Sequence, residues 1–173
     1  MDLFTNMPQL FPLMRGGGAF LALIGLGIVV GSLGSRKWRL VWLVIGAWLG
    51  IAAMAVGGIT KVIFDGLPYP AVWQWVVLGL AFAVEALLVN IVLRRVKDTT
   101  SRQFWIWILF IVGAHFLVLG ASHGPICAAL ALLCMGNALL GLRLTGIDVR
   151  FFWAIDGVLK LAAGVAMVAV SYA

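Results

Sequence analysis

Residues 71–97 read AVWQWVVLGLAFAVEALLVNIVLRRVK. From Ala71 to Leu93 the run carries a single charged side chain, Glu85, and it ends on three cations, Arg94, Arg95 and Lys97. A helix needs roughly 20 apolar residues to cross the hydrocarbon of a bilayer. Backbone polar groups in lipid must be satisfied within the segment itself, which selects a helix for such a run. Ala71–Leu93 therefore reads as a membrane-spanning helix whose far end meets a basic face.

Working outward, five more stretches read the same way: Gly17–Gly34, Trp38–Ile59, Phe104–Gly120, Ser122–Leu142 and Phe151–Tyr172. With short loops, six spans account for nearly all 173 residues, so one all-α polytopic bundle is expected and no separate soluble domain is left. Composition points the same way, with 64% hydrophobic and 10% charged residues and a mean hydropathy of +1.15. The first, fourth and fifth connections are too short for anything but antiparallel neighbours, which predicts three hairpins. Residues 1–16 lack the basic stretch of a cleaved signal. Pro8 and Pro12 oppose a long helix there, so the segment is expected to lie in the outer interface, with Gly16-Gly17-Gly18 breaking the chain before the first span.

The cations are distributed by side. Connections one, three and five hold Arg36, Lys37, Arg39, then Arg94, Arg95, Lys97, Arg102, then Arg143 and Arg150, whereas the opposite set holds only Arg15 and Lys61. Loops rich in Lys and Arg stay in the cytoplasm, which predicts that both termini lie outside. Trp38, Trp42, Trp105, Trp107 and Trp153 on one side and Trp73 and Trp75 on the other fit headgroup-level belts. The net charge of +6 then belongs to the cytoplasmic loops, where anionic lipid headgroups, not nucleic acid, are the counter-charge. Cys127 and Cys134 are seven residues apart on one span, too far for a bond to each other.

Glycines at close-packing spacing, Gly27 and Gly31 on span one and Gly46 and Gly50 on span two, allow backbones to approach. They serve either packing within the chain or a face for a second copy or a membrane partner. Six spans also permit an inverted repeat of threes, although the two halves show no residue match.

A charge at the bilayer centre costs at least ~2.5 kcal/mol on insertion scales and calls for a partner or a purpose. Counted at 1.5 Å per residue from the basic side, Glu85, His115 and Lys160 share a depth of about 13 to 17 Å, and Asn90, Asn137 and Asp156 one of about 5 to 9 Å. A polar cavity facing the cytoplasm is the expectation, with Asn90 and Asn137 as a second layer. Lys160 has two candidate partners. Asp156, four residues earlier, is in the favoured order for an intrahelical pair, which would leave Glu85 to His115 or to a proton and make it a candidate proton carrier. Pairing with Glu85 would instead tie span three to span six. The bland reading of all four is that buried polar groups satisfy one another and fix helix register. His123, in the turn Ser122-His123-Gly124-Pro125, reads as capping or solvated.

No third ligand accompanies the histidines, so no metal or cofactor is expected. Walker, nucleophile-elbow and zincin patterns are absent, and Cys127, Cys134, Met54 and Met135 read as packing residues. Gly113-Ala114-His115-Phe116 and Phe152-Trp153-Ala154-Ile155-Asp156-Gly157-Val158-Leu159-Lys160 resemble patterns in small, uncharacterised bacterial six-span membrane protein families. That resemblance implies a bacterial inner membrane and carries no activity. Three functions follow in order: a transporter or channel-like protein using Glu85, His115, Asp156 and Lys160; a structural or assembly subunit; and an intramembrane lipid-modifying enzyme with Glu85 and His115 as acid and base.

Overall fold

The computed structural model describes residues 6–55 and 57–173. Residues 1–5 of the expected interfacial segment and Val56 of the second expected span lie outside them. The described chain is helical throughout: α1 (Met7–Leu10), α2 (Leu13–Ser32), α3 (Arg36–Ala55), α4 (Gly57–Phe64), α5 (Val72–Arg95), α6 (Arg102–His123), α7 (Pro125–Arg143) and α8 (Val149–Val170). Six of these, all but α1 and α4, are long and apolar enough to cross a membrane. The protein is thus a multi-pass membrane protein by architecture.

The first and last long helices form the most intimate pair. α2 packs on α8 along one face and on α3 along another, while α6 packs between α7 and α5, and α6 and α7 both close onto α8. Glycines set these distances. A Cβ on Gly25 would stand 2.5 Å from the Leu161 nitrogen and 2.8 Å from the Gly157 carbonyl, and one on Gly18 would stand 2.8 Å from the Gly164 carbonyl. Gly18 and Gly25, like Gly157 and Gly164, are seven residues apart, two helical turns on one face. On the other side of α2, Gly27 meets Gly46, whose own Cβ would lie 2.9 Å from the Leu23 carbonyl, Gly31 meets Arg39, and Gly50 packs against Phe20. All four glycines singled out for close packing therefore work between α2 and α3.

The start of α2 departs from expectation. The helix begins at Leu13, so Gly16-Gly17-Gly18 continues it instead of breaking it. Local propensity against glycine helices is small, about 1 kcal/mol per residue, and is outweighed where only hydrogen fits, at Gly17 against the His123 ring and at Gly18 against the Gly164 carbonyl of α8. Leu13 and Met14, expected in the interface, are buried with Met7, and Met7 and Met14 pack in one cluster with Leu119, Cys127 and Leu130. The apolar side chains of the N-terminal segment find the end of the bundle a better partner than headgroups. The second long helix ends at Ala55, and α4 with the turn at Gly66 (φ +69°) carries the chain to α5. Between α6 and α7 lies a single residue, Gly124 at φ +93°.

Two apolar clusters fill the bundle. Toward the termini lie Met14, Leu21, Ala81, Phe116, Leu119, Leu130, Ala131, Cys134 and Met167. Toward the basic end lie Ile28, Ile106, Leu109, Ala138, Phe152 and Trp153. His115, Asp156 and Lys160 fall, along α6 and α8, between the residues of the two clusters.

Candidate functional site

Lys160 and Asp156 are each 1% exposed. One turn apart on α8, they place Nζ and Oδ2 in direct hydrogen-bonded contact. Of the two partners open to Lys160, the structure joins it to Asp156. The ammonium also lies 5.6 Å from the centre of the Phe116 ring on α6, a cation–π contact within reach of a desolvated charge. The second carboxylate oxygen, Asp156 Oδ1, is buried and among the described residues has no hydrogen-bond partner.

Glu85 faces His115 across the α5–α6 contact, with Oε2 3.5 Å from Nδ1. The approach is ionic in distance but not a hydrogen bond, since Nδ1 has no partner of that kind. The imidazole is fixed by aromatic neighbours: Phe116 at 4.2 Å between ring centres and Phe82 of α5 stacked at 6.2 Å. His115 is buried, whereas the Glu85 side chain remains 22% exposed. Two separate pairs result, Glu85–His115 between α5 and α6 and Asp156–Lys160 on α8, with the Phe116 ring near both, 4.2 Å from the His115 ring centre and 5.6 Å from Lys160 Nζ.

The second polar layer does not assemble. Asn137 is buried and donates to the Phe152 carbonyl at 2.8 Å, stapling α7 to α8. Asn90 is exposed on α5, turned away from the packed faces. At five residues from Glu85, about 140° around a helix, it cannot share the face that meets α6. His123, expected in a solvated turn, is buried, with Ser122 Oγ 2.8 Å from its Nδ1 and its ring against Gly17. Glycine at position 17 leaves the room that this imidazole fills.

Among the buried polar residues that the sequence reading did not single out, Arg15 and Gln74 join distant segments. Arg15 donates to Ser171 Oγ at 3.0 Å, to the Ser171 carbonyl at 2.6 Å, to the Ile63 carbonyl at 3.2 Å and to the Asp65 carbonyl at 2.9 Å. Its guanidinium lies 3.9 Å from the Tyr172 ring centre. One cation so caps the C-terminal ends of α4 and α8, where carbonyls lack intrahelical donors and the helix dipole is negative. Gln74, 2% exposed, accepts from the Ala71 N–H and donates to the Leu10 carbonyl at 3.0 Å, fastening the N-terminal segment to α5. An arginine in the first turn of an apolar helix was the available signal for the first; nothing in the sequence marks the second.

At the basic end Asp98 and Asp148 engage their own turns. Hydrogen bonds from the Thr100 hydroxyl and N–H hold the Asp98 carboxyl below the usual carboxylate range. The Arg150 N–H at 2.8 Å does the same for Asp148 at the start of α8. Two surface hollows, of about 520 and about 350 Å³, also lie at this end, lined by Ser35, Arg36, Lys37 and Leu40 and by Ile91, Val92, Arg95, Val96, Gln103 and Trp107. Neither is lined by Glu85, His115, Asp156 or Lys160. Among the described residues no group of three or more His, Cys, Asp or Glu stands together as a metal site.

A family model described as a family of unknown function (DUF6609) matches residues 8–173. No curated protein and no solved structure matches the chain.

Proposed function

We propose that this chain, which belongs to the DUF6609 family of unknown function, is a small transporter or channel-like protein in which Glu85 and His115 form a proton or solute-coupling site. The observation that carries the reading is the division of partners. Because Lys160 already has Asp156, Glu85 faces an imidazole rather than a cation, at 3.5 Å and still partly exposed. A carboxylate and an imidazole facing each other have the chemistry to pass a proton between Oε2 and Nδ1 once the 3.5 Å gap closes to hydrogen-bond reach or is bridged by one water. Glu85 takes the proton on its accessible side, and the enclosed Lys160–Asp156 pair fixes the field around it without exchanging protons itself.

In this reading the six spans form three hairpins in the cytoplasmic membrane of a bacterium. The end carrying Arg36 to Arg39, Arg94 to Arg102, Arg143 and Arg150 faces the cytoplasm, and both termini lie outside. Asymmetry of Lys and Arg between the two sets of loops supports that orientation. The test is proton flux into liposomes holding the purified protein: Glu85→Gln is expected to abolish it, and unchanged flux would remove Glu85 from the role.

One observation favours a second reading, a structural or assembly subunit of a membrane complex. Asp156 and Lys160 are sealed from solvent, as groups that only specify helix packing would be. A stoichiometric partner that co-purifies would support this reading, and flux from an isolated monomer would count against it.

A further inference from the structure

At the basic end, the first turns of α3 and α8 gather cations. Arg39 is half-buried and, among the described residues, its guanidinium has no hydrogen bond and no ion pair within 4 Å. The charges that act on it are Asp148, Arg150 and Arg36, two of them cations. The one carboxylate in this group is already engaged, because Asp148 accepts from both the backbone N–H and the Nε of Arg150, at 2.8 and 2.9 Å. Arg36 reaches the Thr99 carbonyl at 3.3 Å and lies 5.5 Å from the centre of the Trp105 ring. The Trp105 ring in turn meets Trp153, three residues after Arg150 on α8, edge-on at 5.5 Å.

Donors dominate this region. Trp153 is 4% exposed and, among the described residues, neither its indole N–H nor that of Trp105 has an acceptor. A hollow of about 520 Å³ at the start of α3 is lined by Ser35, Arg36, Lys37 and Leu40. Three guanidiniums around a single carboxylate already bonded to one of them leave an excess of positive charge, which matches an anion that offers several oxygens, and the planar Arg fork takes these in pairs. The cluster sits where six apolar helices end, the level of lipid phosphates.

We infer that Arg36, Arg39 and Arg150 form a binding site for a phosphate group, that of an anionic phospholipid headgroup in the leaflet at the basic end. The site is separate from the Glu85–His115 pair and does not depend on the function proposed for it.

The experiment is a melting series on the full-length protein in a neutral detergent with added phosphatidylglycerol, phosphatidylcholine or inorganic phosphate. Phosphatidylglycerol is expected to raise the melting temperature by several degrees more than phosphatidylcholine. Arg39→Gln and Arg150→Gln should each remove at least half of that difference, while Arg94→Gln/Arg95→Gln, at the end of α5, keeps it. An equal shift from inorganic phosphate alone would retain the site and assign it to a soluble phosphate. Equal shifts from both lipids, or an equal loss in the α5 variant, would overturn the inference by reducing it to general surface charge. If the cluster variants do not fold, native mass spectrometry of the unmutated protein decides: phosphatidylglycerol retained under conditions that strip phosphatidylcholine supports the site, and loss of both contradicts it.

Discussion

Lys160 donates to Asp156 one turn earlier on its own helix, and both side chains are enclosed. A buried ion pair gains little over a well-packed apolar pair, but removing one partner strands the other charge and costs about 3–5 kcal/mol. Asp156→Asn and Lys160→Met should therefore each lower the melting temperature sharply, and Asp156→Leu/Lys160→Met together should recover most of the loss. Combining Glu85→Gln with Lys160→Met should give no such recovery. Recovery there would mean that Glu85, not Asp156, is the working partner of Lys160.

The close α2–α8 contact should tolerate nothing larger than hydrogen. Gly25→Ala would bring a methyl to 2.5 Å from the Leu161 nitrogen, and overpacking of this kind costs about 1–3 kcal/mol. Gly79 and Gly136 have nothing within 4 Å of an added Cβ. There, alanine should stabilise by about 0.5–1 kcal/mol through lower helix-forming entropy cost. Thermal melts of the three variants check the contrast.

Arg15→Met would leave the Ser171, Ile63 and Asp65 carbonyls without their donor. Hydrogen bonds to a charged group are worth about 1.5–3 kcal/mol each, so a loss of about 3 kcal/mol or more is expected in denaturation of the detergent-solubilised protein. Arg15→Lys should recover only a small part, because an ammonium cannot span the same fork of acceptors.

Asp148 begins α8 by accepting from the Arg150 N–H, and loss of such a cap costs about 1 kcal/mol. Its carboxyl is held below the ordinary value of 3.8. A depressed native value means that the stabilisation is complete above the unfolded-state range and is lost as the pH falls through the native value. Melting curves of Asp148→Ala should run below wild type at neutral pH and converge with it in acid.

The elements that a single apolar run defines were legible in the sequence. Ala71–Leu93 appears as α5 with its ends moved by a residue or two, and the i, i+4 spacing of Asp156 and Lys160 already favoured their pairing. What escaped depends on contacts between distant segments. Three successive glycines look like a break until α4, the His123 ring of α6 and the backbone of α8 lie against Gly16, Gly17 and Gly18 in turn. Asn90 and Glu85 share a helix, but only its rotation against α6 decides which one enters the bundle. Arg15 looks like a loop charge until the ends of α4 and α8, 48 and 156 residues away in the chain, present their carbonyls to it.

The most direct test of the proposed site is proton flux and melting temperature measured on the same preparation of Glu85→Gln. Flux at the level of protein-free liposomes with a melting temperature close to that of wild type is the predicted result, because Glu85 makes no hydrogen bond to His115 and the enclosed pair on α8 is untouched. Wild-type flux, or a collapse in stability that accompanies the loss of flux, would contradict a role for Glu85 beyond holding the bundle together.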